Sequence, residues 1–380
     1  MYEEAKKLVD GQLDLLKRMV SIDSPSNVVA GNAEVVKIVD AELKGVGAEV
    51  EHVFDEGVGI HVVGTIRAKS AGAPRIVLSG HLDTVFPRGS VAEHPFRVEG
   101  DMAYGLGIAD CKGSVPVSIG AVKVLQALGK MPDAEIRFVY TCDEERGSPS
   151  GRKVIEREAK TADFAIGFEP ARGGNGVITF RPGYVTARIR VKGVKSHAFN
   201  GYDKGVSAPY VLAEMLVALK KLNQAEKGIL YTPYDLRSGK DLGSVVDTAE
   251  TGVLVPYFDK AALPDIERDL TETLPVIAAK AGATADVTLD KSAALLQERN
   301  EKSLALYERF HRAGAELGIE AKEEKAFAPS DLNEYSSLGV PSVDGLGPYC
   351  YGMHVTDEHI RISSLPEKTA LVATVLASFG

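Results

Sequence analysis

Three apolar runs in this chain stop at the same kind of residue. RIVLSGHLD (75–83), AEIRFVYTCDEE (134–145) and DFAIGFEP (163–170) each lead a stretch of apolar side chains into a histidine or a carboxylate. Short, nearly continuous apolar runs suit strands covered on both faces, and such strands belong to parallel or mixed sheets lying between helices. Ligand sites in open α/β sheets collect outside the carboxyl ends of the strands. His81, Asp83, Glu144, Glu145 and Glu169 all stand at such ends.

The rest of the chain fits that reading. The first ~20 residues form an amphipathic pattern with Leu8, Leu15, Leu16 and Met19 on one side. A second helix is expected from Asn32 to Leu43, stopped by Gly45 and Gly47. AEVEHVF and IHVVGTIRA read as strands. Val115, Ile119, Val122 and Leu125 mark a helix after Asp110, and GRKVIEREAK marks another. Strands alternating with helices predict an α/β fold, with a mixed central sheet flanked by helices. From Gly183 the texture changes to strand, long helix, strand, helix, strand, which is a smaller α+β unit of the split βαβ, ferredoxin-like kind. The expected division is therefore a catalytic domain in two pieces, 1–182 and 292–380, with an inserted domain over 183–291.

Composition narrows the partners. Of 380 residues, 44% are apolar and 26% charged, the balance of a folded globular chain. The net charge of −9 disfavours nucleic acid. The N-terminus has no apolar signal core, and no run approaches the roughly 20 apolar residues that a membrane span needs. The three cysteines, Cys111, Cys142 and Cys350, have no paired spacing, which points to a reducing cytoplasm.

Two further segments carry potential ligands. GLGIADCKGS holds Asp110 among glycines. It is not a phosphate loop, because Cys111 rather than glycine precedes Lys112. GPYCYGMHVTDEH holds His354 near the C-terminus. Alone, each residue has an ordinary structural explanation: a loop histidine, a helix-capping aspartate, a solvated acidic turn. Together, His81, Asp110, Glu145, Glu169 and His354 make a mixed nitrogen and oxygen donor set that suits Zn, Co or Mn. Three adjacent carboxylates in CDEE also call for neutralising cations.

In order along the chain, GHLDTVFP, PFRVEGDMAYGLGIADCKG, CDEERGS, GFEP, GVKSHAFN, APSDLNEYSSLGVP and GMHVTDEH resemble the co-catalytic zinc peptidases. That family includes glutamate carboxypeptidase, acetylornithine deacetylase, succinyl-diaminopimelate desuccinylase and aminoacylase, and the texture is nearest the glutamate-carboxypeptidase-like branch. The resemblance implies a fold of the dinuclear zinc exopeptidase type and two zinc ions (Co or Mn also fitting) bridged by Asp110. His81 and Glu169 would complete one ion site, and Glu145 and His354 the other. It further implies that Asp83 orients His81, that Glu144 is the general base, and that His197 reaches the substrate oxyanion. The inserted domain would act as a lid and dimerisation element of a homodimer.

One part of the family pattern is missing. An asparagine and an Asp-x-Arg that help hold substrate are expected near LGSVVDTAETGVLVPYFD, where Pro256-Tyr257-Phe258 stands instead. Arg181 is the candidate substitute for reading a substrate carboxylate, with Arg237 behind it. Tyr257 and Phe258 suggest either an aromatic substrate face or a repacked strand. The leading expectation is cleavage of an N-acyl amino acid or short peptide. The alternatives are a same-fold hydrolase of a non-peptide, aromatic amide or amine, and a metal-stabilised binding protein without catalysis.

Overall fold

The computed structural model describes residues 1–172, 174 and 176–379. The chain divides into two compact units, Met1–Arg181 with Gln297–Gly380, and Pro182–Leu296. The chain leaves the first unit at Arg181 and re-enters at Gln297. The backbones of these two residues pair, with N···O distances of 3.3 and 3.1 Å. The ends of the insertion therefore meet, and the first unit closes without it.

The first unit is built on a six-stranded sheet in the order Glu49–Asp55, Gly59–Ile66, Glu135–Thr141, Arg75–His81, Phe164–Gly167, Ser342–Val343. The first two pairings are antiparallel and the last three parallel, so the sheet is mixed. Arg75–His81 lies between Glu135–Thr141 and Phe164–Gly167, all pointing one way. That placement is why the ends of the three apolar runs share one edge. Helices Ser114–Ala127 and Ser364–Ala377 pack together and are buried over most of their length. Gly80 has a packing reason: a Cβ there would lie 2.5 Å from Oγ of Ser114.

A second, five-stranded sheet joins Arg97–Glu99, Met102–Tyr104, His359–Arg361, Tyr349–Tyr351 and Ala171–Arg172. Met102–Tyr104 runs into the Asp110 loop; the two strands on either side of His354 pair with each other, and the second of them, His359–Arg361, pairs with Met102–Tyr104. These three-residue strands have no readable periodicity, yet they bring Asp110 and His354 together.

The inserted unit has an antiparallel sheet in the order Thr232–Ser238, Thr248–Tyr257, Gly183–Lys192, Thr284–Ala294. With helices Ala208–Lys221 and Leu263–Lys280 this is the split βαβ, ferredoxin-like arrangement. Thr232–Ser238 was not legible as a strand. It is an exposed edge with Pro233 in it and no apolar alternation.

Two helices differ from expectation. The N-terminal one is broken into Tyr2–Lys6 and Val9–Val20, with Leu15, Leu16 and Met19 buried and Leu8 only half-buried. The helix beginning at Leu263 passes through a π-turn at Asp269–Thr273. Pro275, just beyond the π-turn, has no N–H to give the ordinary i→i−4 bond. No helix among the described residues is long and apolar enough to cross a membrane.

Candidate metal centre

The carboxyl ends of the three parallel strands deliver His81, the Glu144–Glu145 turn and Glu169 to one edge. His81 is buried, with Nε2 3.0 Å from Oδ1 of Asp110 and 3.5 Å from Oε1 of Glu169. The other Asp110 oxygen, Oδ2, lies 3.0 Å from Nε2 of His354, which is in turn 3.6 Å from Oε2 of Glu145. Asp110 thus turns one oxygen to each histidine. The donor atoms fall into two sets that share it. His81, Asp110, Cys111 and Glu169 form one, and Asp110, Glu145 and His354 the other, with all atoms of a set within 4.8 Å of one another.

These residues fit divalent cations. Nδ1 of His81 donates toward Asp83, to its carbonyl at 3.1 Å and its carboxylate at 3.2 Å. Nε2 then faces carboxylate oxygens, an arrangement that needs a second proton or a cation between them. Among the described residues, Oε1 of Glu145 is buried with no hydrogen-bond partner, an acceptor that a cation would satisfy. His354 holds φ 63° beyond Gly352 at φ 65°, so the hairpin turn adopts left-handed backbone to present the imidazole.

The electrostatics agree. Burial pushes the Glu144 carboxyl well above the usual range, with Glu169, Asp331 and Asp110 adding to it against His81. Burial brings Glu145 up to about 7, with Asp110 and Asp83 also raising it. Burial and Asp110 raise Glu169 well above its ordinary value. Burial opposes ionisation of Asp110 as well, but hydrogen bonds with His354 and His81 outweigh it and hold this carboxyl low. Carboxylates crowded like this are relieved by divalent charge.

A layer of buried acids supports the edge, and the structure separates their jobs. Asp143 accepts from the backbone N–H of Ser150 at 2.7 Å and of Gly151 at 3.1 Å, capping the helix Gly151–Ala159 rather than facing the site. Asp83 accepts from Ser26 Oγ at 2.6 Å and from the N–H groups of Glu144 and Glu145 at 3.2 and 3.1 Å, beyond its contact with His81. Asp331 accepts from Thr141 at 2.6 Å and from Ser148, bracing the same turn. Asp344 accepts from the N–H of Glu169 at 3.1 Å. Glu358 accepts from the N–H groups of Ala109, Asp110 and Gly107 at 2.8, 3.1 and 3.3 Å. The sequence reading did not single out Asp331, Asp344 or Glu358. In polar loops such acids look like solvated charges, and only their contacts reveal burial.

One expectation needs correction, and one open alternative is decided. Arg181 is 3% exposed, and its guanidinium donates to Oδ2 of Asp344 at 2.9 Å and to the Ala328 carbonyl at 2.7 Å. A side chain so enclosed does not offer a fork to a substrate carboxylate; it anchors Asp344. Tyr257 is 1% exposed and lies against Gly183, where a Cβ would meet its ring at 2.2 Å, and Phe258 lies against Gly228. These aromatic rings fill the inserted unit, so the repacked strand is the reading that holds. Arg237 is exposed and bonded to Asp235 at 2.6 Å. His197 is exposed, and its Nδ1 accepts from the N–H of Phe199 and of Asn200, both at 3.2 Å. The ring proton then sits on Nε2, which makes that atom a donor.

A mixed α/β unit with two donor sets at its strand ends, and a split βαβ insertion, define a metal-dependent hydrolase. Over residues 77–378 the chain matches the model for peptidase family M20/M25/M40, and it belongs to that family. It is 28% identical over 374 residues to carboxypeptidase G2 of Pseudomonas sp. (strain RS-16), covering 96% of this chain and 88% of that one. It is 27% identical over 338 residues to a succinyl-diaminopimelate desuccinylase of Xanthomonas oryzae pv. oryzae, covering 80% and 84%. Among solved structures, aminopeptidase PepT of Bacillus cereus superposes with a TM-score of 0.84 at 21% identity, covering 99% of this chain and 98% of that one. The YXEP protein of Bacillus subtilis, described as a dinuclear metal-binding peptidase, superposes at 0.74 with 15% identity over 100% and 99% of the two chains. The chain is thus a hydrolytic, metal-dependent enzyme of the M20 kind.

Proposed function

We propose that this enzyme cleaves the amide bond of an N-acyl amino acid or short peptide at a two-ion centre. Asp110 would bridge the ions, with His81 and Glu169 on one and Glu145 and His354 on the other. The observation that carries this reading is the division of Asp110, one carboxylate oxygen toward each histidine at 3.0 Å. Two zinc ions held there would supply Lewis acidity toward the scissile carbonyl and the attacking water.

Glu144 is the general base. Its Oε2 lies 3.9 Å from Nε2 of His81, at the edge of the donor sets but in neither. Its raised pKa suits a group that takes a proton from water and returns it to the leaving nitrogen. Asp83 keeps His81 in the tautomer that leaves Nε2 for the ion. His197, a donor at Nε2, matches the role of stabilising the developing oxyanion. The exposed edge strand Thr232–Ser238 and the exposed Tyr210, Leu236 and Leu242 of the inserted unit support its use as a dimerisation surface. Three buried cysteines without a disulfide support a cytoplasmic setting.

The enclosure of Arg181 favours a second reading, a substrate amide without a free carboxylate. One panel separates the two: N-acyl amino acids and dipeptides beside the same compounds as carboxamides, with Zn, Co or Mn added. Preferred turnover of the acids supports the leading reading, and preferred turnover of the carboxamides supports the second. No turnover across the panel would leave a metal-stabilised binding protein. In the same assay Glu144→Gln should keep its metal and lose about 10²–10⁴ in turnover. Near-normal turnover would remove Glu144 from its role.

A further inference from the structure

The segment after His197 fixes an aromatic ring in solvent. Strand Ser196–His197 pairs with Ser244–Val245, and the N–H of Ala198 donates to the Gly243 carbonyl at 2.9 Å. The N–H of Gly201 returns to the His197 carbonyl at 3.2 Å, and those of Phe199 and Asn200 both reach Nδ1 of His197 at 3.2 Å. These bonds tie the backbone of Phe199 to the imidazole. Phe199 is nevertheless 85% exposed, and its ring centroid lies 6.4 Å from that of His197, with the planes inclined by 53°. Tyr257, by contrast, is 1% exposed inside the same unit. A phenyl ring held in water gives the fold nothing; it contributes when a ligand covers it.

We propose that Phe199 selects the acyl group of the substrate, and that this group is aromatic or large and apolar, as in an N-aroyl amino acid. The proposal deepens the amide-hydrolase reading and rests on the role given there to His197. With Nε2 of His197 on the carbonyl oxygen, the acyl substituent begins two bonds from that oxygen. The side chain of the leaving amino acid begins four bonds away. The acyl group is therefore the part that a ring 6.4 Å from the imidazole meets. Aromatic rings make offset and edge-to-face contacts at centroid separations of about 4.5–7 Å, which favours an aryl group over a methyl. Such a contact is the same before and in the transition state, so it acts on KM, whereas a donor to the oxyanion acts on kcat.

N-benzoyl and N-acetyl derivatives of one amino acid test this on the zinc-loaded full chain. The wild type should prefer the benzoyl compound. Phe199→Ala should lower kcat/KM for the benzoyl compound by about 10–100-fold, through KM, and stay within about twofold on the acetyl compound. Phe199→Tyr should keep the preference. Because the ring is exposed, the alanine variant keeps its fold. His197→Ala should lower kcat on both compounds alike. A wild type without the preference, or equal effects of Phe199→Ala on the two compounds, would overturn the assignment of Phe199. The hydrolase reading would then stand on the His197→Ala result. Loss of a wild-type dimer in Phe199→Ala would assign the ring to a contact between copies and overturn the proposal as well. Hydrolysis of neither compound by the wild type would overturn both readings.

Discussion

Oδ1 of Asp83 lies 3.2 Å from Nδ1 of His81, and the same carboxylate holds the backbone N–H groups of Glu144 and Glu145. One buried acid therefore sets the histidine at the end of one strand and the acidic turn at the end of the next. Asp83→Asn offers an amide N–H₂ where an acceptor is needed. Zinc affinity should fall by about 10–100-fold, as is usual when such a supporting acid is removed. Unchanged affinity by competition with a chromophoric chelator would contradict this.

Glu358 does the corresponding work for Asp110. Its carboxylate receives the N–H groups of Gly107, Ala109 and Asp110, and it sits in the same loop as His354. Glu358→Ala leaves these buried donors without a partner, at about 1–3 kcal/mol each. Glu358→Gln keeps the acceptor facing Ala109 and Asp110. Denaturant unfolding should show a large loss for alanine and a small one for glutamine, with zinc affinity following the same order. Equal effects would mean that these bonds do not position the loop.

For Arg181 the prediction concerns stability rather than selectivity. Arg181→Met uncovers Asp344, and breaking a buried pair costs about 3–5 kcal/mol. The unfolding midpoint should drop, while the ratio of kcat/KM for an N-acyl amino acid over its carboxamide stays as in the wild type. A collapse of that ratio with stability intact would restore Arg181 as a carboxylate reader.

Lys368 provides a pH signature away from the donor sets. It is fully buried, donates to the Gly345 carbonyl at 2.9 Å, and burial brings its pKa down to about 7. Between that value and the ordinary lysine value of about 10.4 the unfolded chain binds the extra proton, so this group's penalty shrinks as pH rises. The stability of the wild type relative to Lys368→Met should increase from pH 7 to 9.5, by up to about 1.4 kcal/mol per pH unit. A difference independent of pH would contradict the burial argument.

What the sequence disclosed follows from how each element is stabilised. The strands ending at His81, Thr141 and Gly167 are covered on both faces, so their apolar runs and the donor residues after them were legible. The meeting of Asp110 with His354 depends on strands of three residues, whose pairing is set by partners distant in the chain. Arg181 was misread because exposure is not written in a residue's type, and a guanidinium that holds Asp344 looks like one that holds a substrate. Cys111 stood out only as the residue that spoils a phosphate loop. Its nearness to His81 and Glu169 needed coordinates.

The most direct measurement is anomalous diffraction at the zinc edge from zinc-loaded crystals. The account predicts two peaks per chain about 3.5–4 Å apart, with Asp110 between them, His81 and Glu169 beside one, and Glu145 and His354 beside the other. A single peak, or peaks away from these side chains, would contradict it.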